Sequence, residues 1–232
     1  MKKLFVLLLA LALVFAFAAC GAAPADDATE PEEAAEESTE ETTEDTTEET
    51  SGEMLEVVNS GWSLPGDYLY YWVELRNNSD KDVLFPSFDI NARNAEGTLI
   101  GTQDQVLNII HAGETEYYAS QAFSLNEEPA TVEIVAKKPA DYNIVKPTDY
   151  TPFTVISATD SGDNLVGEIS NENDEDFSMA AVVVLYKDAD SNYIGGETTY
   201  TDGLPAHGTA PFSVYQYTGL ETDSFDVFAY PW

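Results

Sequence analysis

The sequence has one cysteine in 232 residues, two histidines, and nine lysines and arginines against 43 acids. Each shortage removes a class of explanation. A single thiol forms no internal disulfide, so whatever folds is held by its core. With so few bases and a formal net charge of −34, nucleic acid is excluded as a partner, because affinity for a phosphate backbone rests on lysine and arginine. Docking onto anionic lipid or teichoic acid is disfavoured for the same reason, unless divalent cations bridge. No serine sits in a Gly-x-Ser-x-Gly elbow and no glycine-rich phosphate loop follows a strand. His111 and His207 fall near equivalent points of a repeated pattern, in separate domains, which gives neither a nucleophile–base pair nor a zinc set. The expectation is a protein that is not an enzyme.

What is present begins with Lys2 and Lys3, followed by an uncharged apolar run from Leu4 to Ala19. That is the layout of a secretory signal. The competing reading, a membrane-spanning helix, needs ~20 apolar residues, and this run stops short at Cys20. The stretch Phe17-Ala18-Ala19-Cys20-Gly21 resembles a bacterial lipobox, with Phe17 standing where an aliphatic residue is commoner. The resemblance implies cleavage after residue 19 and lipidation of Cys20. It also implies attachment to the extracellular face of the cell membrane, stable because two acyl chains are enough to hold.

Residues 20–53 read as a lipid-anchored, acidic, disordered linker. Fourteen acids lie between Asp26 and Glu53, with no base and no aromatic, and such a composition cannot bury enough apolar surface to offset chain entropy. Like charges extend it, so it reads as a spacer. Beyond it the acidity continues. Residues 54–138 carry thirteen acids against five bases, and residues 152–232 carry fourteen acids against Lys187 alone.

The remaining chain repeats itself at an offset of 94. Leu75-Arg76-Asn77 recurs as Ile169-Ser170-Asn171, each followed by a polar turn. Phe88 to Glu96 aligns with Val182 to Asp190, and Ile100-Gly101 with Ile194-Gly195. Ala112-Gly113-Glu114 matches His207-Gly208-Thr209 if one residue is inserted. Within each copy the apolar period is two: Leu69, Tyr71, Val73 and Leu75 alternate with Tyr70, Trp72 and Glu74, as on a strand with two unlike faces. Short β-rich runs broken by Gly, Asn, Asp and Pro predict an all-β chain of two tandem immunoglobulin-like β-sandwich repeats, over 54–140 and 151–232. Pro139, Pro147 and Pro152 punctuate the boundary.

The second copy carries Val183-Val184-Leu185-Tyr186-Lys187-Asp188 on its central run. This resembles the FxLYD-type immunoglobulin-like domains of bacterial surface lipoproteins, with Val183 replacing the family's Phe and Lys187 its Asp. The first copy keeps the frame without the signature, reading Asp89-Ile90-Asn91-Ala92-Arg93. The resemblance implies a fold and a setting in the cell envelope, and no reaction.

Three features invite a ligand. Asp188, Asp190 and Asn192 open like a calcium loop, with oxygens at positions one, three and five, but Tyr193 and Thr199 stand where an EF-hand wants Gly and Glu. The first copy has Asn94-Ala95-Glu96-Gly97-Thr98 at this place, which argues for a shared turn. Asp174, Glu175 and Asp176 form a second acidic group. Tyr70 and Trp72 share one strand face, and Phe228, Tyr230 and Trp232 another. Such faces are core or inter-domain packing, or, if open, stacking platforms for sugar or peptide. The sequence thus reads as a non-catalytic binding or spacing module whose partner is an envelope protein or wall glycan. The alternative is a calcium-dependent adhesion module, and no other cofactor is implied.

Overall fold

The computed structural model describes residues 53–215 and 222–232. The expected signal, Cys20 and almost all of the acidic segment lie outside the described residues. The described chain is all-β apart from one 3-10 turn at Asp141–Asn143.

The first repeat contains β1 (Leu55–Ser63), β2 (Tyr68–Asn77), the short β3 (Asp82–Leu84), β4 (Ser87–Arg93), β5 (Leu99–Val106), the two-residue β6 (Ile109–Ile110), β7 (Thr115–Ser124) and β8 (Thr131–Ala136). One antiparallel sheet runs β1-β2-β7 and a second runs β5-β4-β8. Alternation decides the packing: Leu69, Tyr71, Val73 and Leu75 turn to the core to meet Phe88, Ile90 and Ala92. Full burial of each large aliphatic stabilises by roughly 1.5–3 kcal/mol. The connection to the second repeat is stitched to the first, because β9 (Ile144–Val145) pairs with β3.

The second repeat repeats the plan with β10 (Thr154–Asp160), β11 (Asn164–Ser170), β12 (Ala180–Lys187), β13 (Tyr193–Tyr200), β14 (Thr209–Tyr215) and β15 (Ser224–Pro231). Its sheets are β10-β11-β14 and β13-β12-β15. They enclose Leu165, Ile169, Val182, Val184, Tyr186, Phe212 and Val214. The bulge between β1 and β2, at Val57/Asn59, recurs between β10 and β11 at Val155/Ser157.

The internal copy is written most plainly in two buried asparagines. Asn77 donates its side-chain amide to the carbonyls of Lys81, Ile110 and His111, at 2.7, 3.2 and 3.1 Å. Asn171 donates to Glu175, Leu204 and Pro205, at 2.8, 3.4 and 3.0 Å. All three acceptors keep the offset of 94. The offset also holds at Asp82, which accepts from the Ala112 amide, and Asp176, which accepts from the Ala206 amide.

These bonds correct the sequence alignment. The backbone amide of Asn77 donates to the Glu114 carbonyl, and that of Asn171 to the Gly208 carbonyl. So Gly208 stands at the place of Glu114, and no residue is inserted. His207 occupies the place of Gly113, and both adopt the left-handed region, at φ 51° and 75°. That conformation is usual for glycine and strained for a residue with a Cβ. Matching glycine to glycine shifted the register because His207 meets a backbone requirement that its side chain disguises. His111 therefore corresponds to Pro205, not to His207.

The two sandwiches pack on each other. The outer face of β1-β2-β7 meets the outer face of β13-β12-β15, enclosing Trp72, Ala119, Val183 and Leu185. This explains an oddity of β12: it is buried almost throughout and its apolar run does not alternate. Val182, Val184 and Tyr186 fill the second sandwich while Ala181, Val183 and Leu185 face the first repeat. A strand covered on both faces has no polar period. The equivalent strand β4 is covered on one face only. It carries Asp89 and Asn91 where β12 has Val183 and Leu185, and this is why the unbroken apolar run appears in one copy alone.

Candidate functional site

The aromatic residues singled out by the sequence converge on the junction between repeats. Trp72 is buried edge-on to Tyr193, with ring centroids 5.4 Å apart. Phe228 stacks on Tyr117 at 4.2 Å, and the Tyr230 hydroxyl accepts from the Tyr117 amide at 3.1 Å. Trp232 lies against Tyr118 and Tyr200. Tyr70 stays half-buried at the rim, donating its hydroxyl to Gln121 at 2.9 Å. The two faces thus turn toward each other and hold the repeats together. Trp72, Phe228, Tyr230 and Trp232 form packing between repeats, not an open platform, because the apolar outer faces have each other to cover.

Asp188, Asp190 and Asn192 lie in the turn from β12 to β13. The Asp188 carboxylate accepts from the backbone amides of Asp190 and Asn192, each at 2.9 Å, and from the Asn192 side-chain amide. Those bonds from Asn192 hold its carboxyl below the ordinary 3.8. Asn94 performs the same closure in the first repeat, accepting from the Thr98 amide at 3.0 Å. The turn closes on its own carboxylate, and Asn192 offers it a donor. The Asp174, Glu175 and Asp176 group disperses: Asp174 pairs with His207 at 2.8 Å, while Asp176 caps the Ala206 amide. Among the described residues no three carboxylates or histidines are grouped to hold a metal ion.

A large open cleft among the described residues was not foreseen from the sequence. It lies where both repeats meet the connection between them. Asp82, buried on β3, accepts from the Thr148 amide and hydroxyl at 2.9 and 2.8 Å, and His111 Nδ1 lies 3.2 Å away. Burial opposes ionisation of Asp82, yet the hydrogen bonds from Thr148 and Ala112, with His111 beside it, hold its carboxyl below the ordinary 3.8. This clasp fixes the connection. The His111 ring then stacks on Tyr150 at 4.1 Å, and Tyr150 in turn meets Phe153 and Phe177 edge-on. From the second repeat, Asn173 exchanges hydrogen bonds with both backbone groups of Thr151, at 2.7 and 2.8 Å.

A cleft of about 890 Å³ opens along this seam. Its floor is Leu84, Ile109, Tyr150, Phe177 and Pro231, and its rim carries Asp149, Glu172, Asp174 and Glu175. No lysine or arginine lines it. Chemically it offers aromatic and aliphatic surface below a negative edge, which suits an apolar segment carrying positive charge. The sequence signal for it was slight: a proline-flanked connection and an acidic turn, 22 residues apart at Thr151 and Asn173, with nothing to show they touch.

No protein-family model matches the sequence, and no curated protein matches it.

Proposed function

We propose that the chain is a non-catalytic binding module of the cell envelope, held at the extracellular face of the membrane by lipid on Cys20 and spaced from it by the acidic segment to Glu53. The resemblance of residues 183–188 to FxLYD-type domains supports this setting. The cleft between the repeats is its recognition surface. The observation that carries this reading is the lining: an apolar floor with four carboxylates at the rim and no lysine or arginine. That combination favours a basic segment of an envelope protein over a neutral wall glycan, because complementary charge steers encounter and rejects acidic competitors.

Two experiments test it. Cells fed a clickable fatty acid will label the wild-type chain, and Cys20→Ser will lose the label and leave the membrane fraction. A labelled Cys20→Ser chain would refute the anchor. For recognition, a photo-crosslinking residue at Thr151 in the cleft will trap a basic envelope protein in living cells. The same residue at Thr102 on the outer face of β5 will not, and Glu172→Lys with Glu175→Lys will abolish the adduct. Equal adducts from both positions, or adducts that survive the charge reversal, would overturn the cleft as the site.

A further inference from the structure

Two carboxyls sit at the junction where ionisation has nothing to compensate it. Glu116, on β7, is 5% exposed. The charged group that bears on it is another acid, Glu114 in the turn just before its strand. From the connection it is faced by Tyr150, itself covered by His111, and from β15 by Tyr230. Across β2 it is paired with Leu75, flanked by Glu74 and Arg76. No ion pair reaches it among the described residues. An unpaired carboxylate in such a place is among the costliest groups to charge.

Glu197, on β13, lies on the other side of the same junction. It lines a cavity of about 10 Å³ with Tyr186 and Gly196 of its own repeat and Ser63, Pro65 and Tyr70 of the first. The Tyr186 hydroxyl is buried there without a hydrogen-bond partner among the described residues. Asp160, at the end of β10, is the other acid that bears on Tyr186, and Lys187 is engaged by Asp226. Among the described residues neither carboxyl is in an ion pair.

We propose that the junction between the repeats is a proton-sensitive latch, closed while Glu116 and Glu197 carry their protons and loosened when they ionise. The closed state is the packed aromatic seam; the loosened state lets water reach both carboxyls. The electrostatics run the same way. Burial pushes the Glu197 carboxyl from 4.5 up to about 7, and holds that of Glu116 well above its ordinary value. Below pH 4.5 both groups are protonated whether the chain is folded or not, and their share of stability is fully present. As the pH rises the unfolded chain releases these protons first, so that share is lost from about 4.5 upward, through about 7 for Glu197, and Glu116 acts in the same direction. Asp82, Asp188 and Asp226 are held below 3.8 and act oppositely, withdrawing stability only in stronger acid.

The test uses the full chain in detergent, as wild type and as Glu116→Gln with Glu197→Gln. Gln keeps the shape and removes the charge. The wild-type melting temperature will peak near pH 5 and fall by roughly 5–10 °C by pH 8, and the double variant will lose at least half of that fall. Hydrogen exchange, corrected for intrinsic rate, will locate the change. Protection of residues 117–119 and 193–198 will drop at high pH before that of β4. An unchanged pH slope in the double variant, or protection lost evenly across both repeats, would overturn the latch. The comparison with the variant removes the general repulsion of an acidic chain, which both proteins share. Because neither readout involves a ligand, failure here leaves the binding function standing, and the reverse is equally true.

Discussion

Asn171→Ala will lower the unfolding free energy by about 3–5 kcal/mol, and Asn77→Ala by a similar amount. Both side chains are fully buried. Each holds three carbonyls through one amide group, and accepts from the backbone amide two residues on, Ser79 or Asn173. Alanine removes the donor and leaves those carbonyls facing a cavity, and each buried polar group without a partner costs about 1–3 kcal/mol. Asn→Asp will be worse, because it presents a charged acceptor to three acceptors. The measurement is equilibrium urea unfolding, where a loss below ~1 kcal/mol would show the networks to be replaceable by water. Against a typical total of about 5–15 kcal/mol, either change removes a large share of the stability. Ser79→Ala, which removes a hydroxyl at the edge of the same turn, will cost far less.

Gly196→Val will separate the repeats. A Cβ at this position would lie 2.4 Å from the Val184 carbonyl oxygen, 2.6 Å from a Leu185 methyl and 2.8 Å from the Ala119 Cβ of the opposing repeat. The first is backbone of the paired strand and cannot swing aside. The last is the other wall of the junction. Overpacking of this kind costs about 1–3 kcal/mol or more, and the cheapest relief is for β7 and β13 to draw apart. Trp72 lies at this seam against Tyr193, so its fluorescence will shift to the red, and solution scattering will show a longer particle. Unchanged emission with unchanged dimensions would mean the sheets absorb the methyl groups without parting.

The alternation along Leu69 to Leu75 was readable because a strand with one wet face has a period of two, and the cores of both sandwiches follow from it. The turn at Asp188 was readable too, since Asn94 performs the same closure 94 residues earlier. The junction was harder to see. Seven apolar positions from Ala180 to Tyr186 say that both faces are covered, but not by what, and Trp72 and Phe228 look alike as core or as open platform. The clasp of Asp82, His111 and Thr148 joins residues up to 66 apart, and no local pattern encodes it. His207 misled for a related reason: a left-handed backbone is a property of place, and glycine is only its commonest marker.

The way the repeats stack has a consequence for growth. The contact joins the first sheet of one copy to the second sheet of the next, so it is head-to-tail rather than self-complementary, and pairing two copies does not by itself use up both faces. Any further copy, in the same chain or another, could be added by the same step unless the exposed ends refuse it. Asp89 and Asn91 stand where Val183 and Leu185 make the joint, and Lys137 bridges Asp89 to Asp104 across that end at 2.9 and 2.8 Å. At the other end Val166 and Ser213 replace Trp72 and Ala119. Charge at one terminus and lost aromatic surface at the other turn an arrangement able to elongate into one of fixed length.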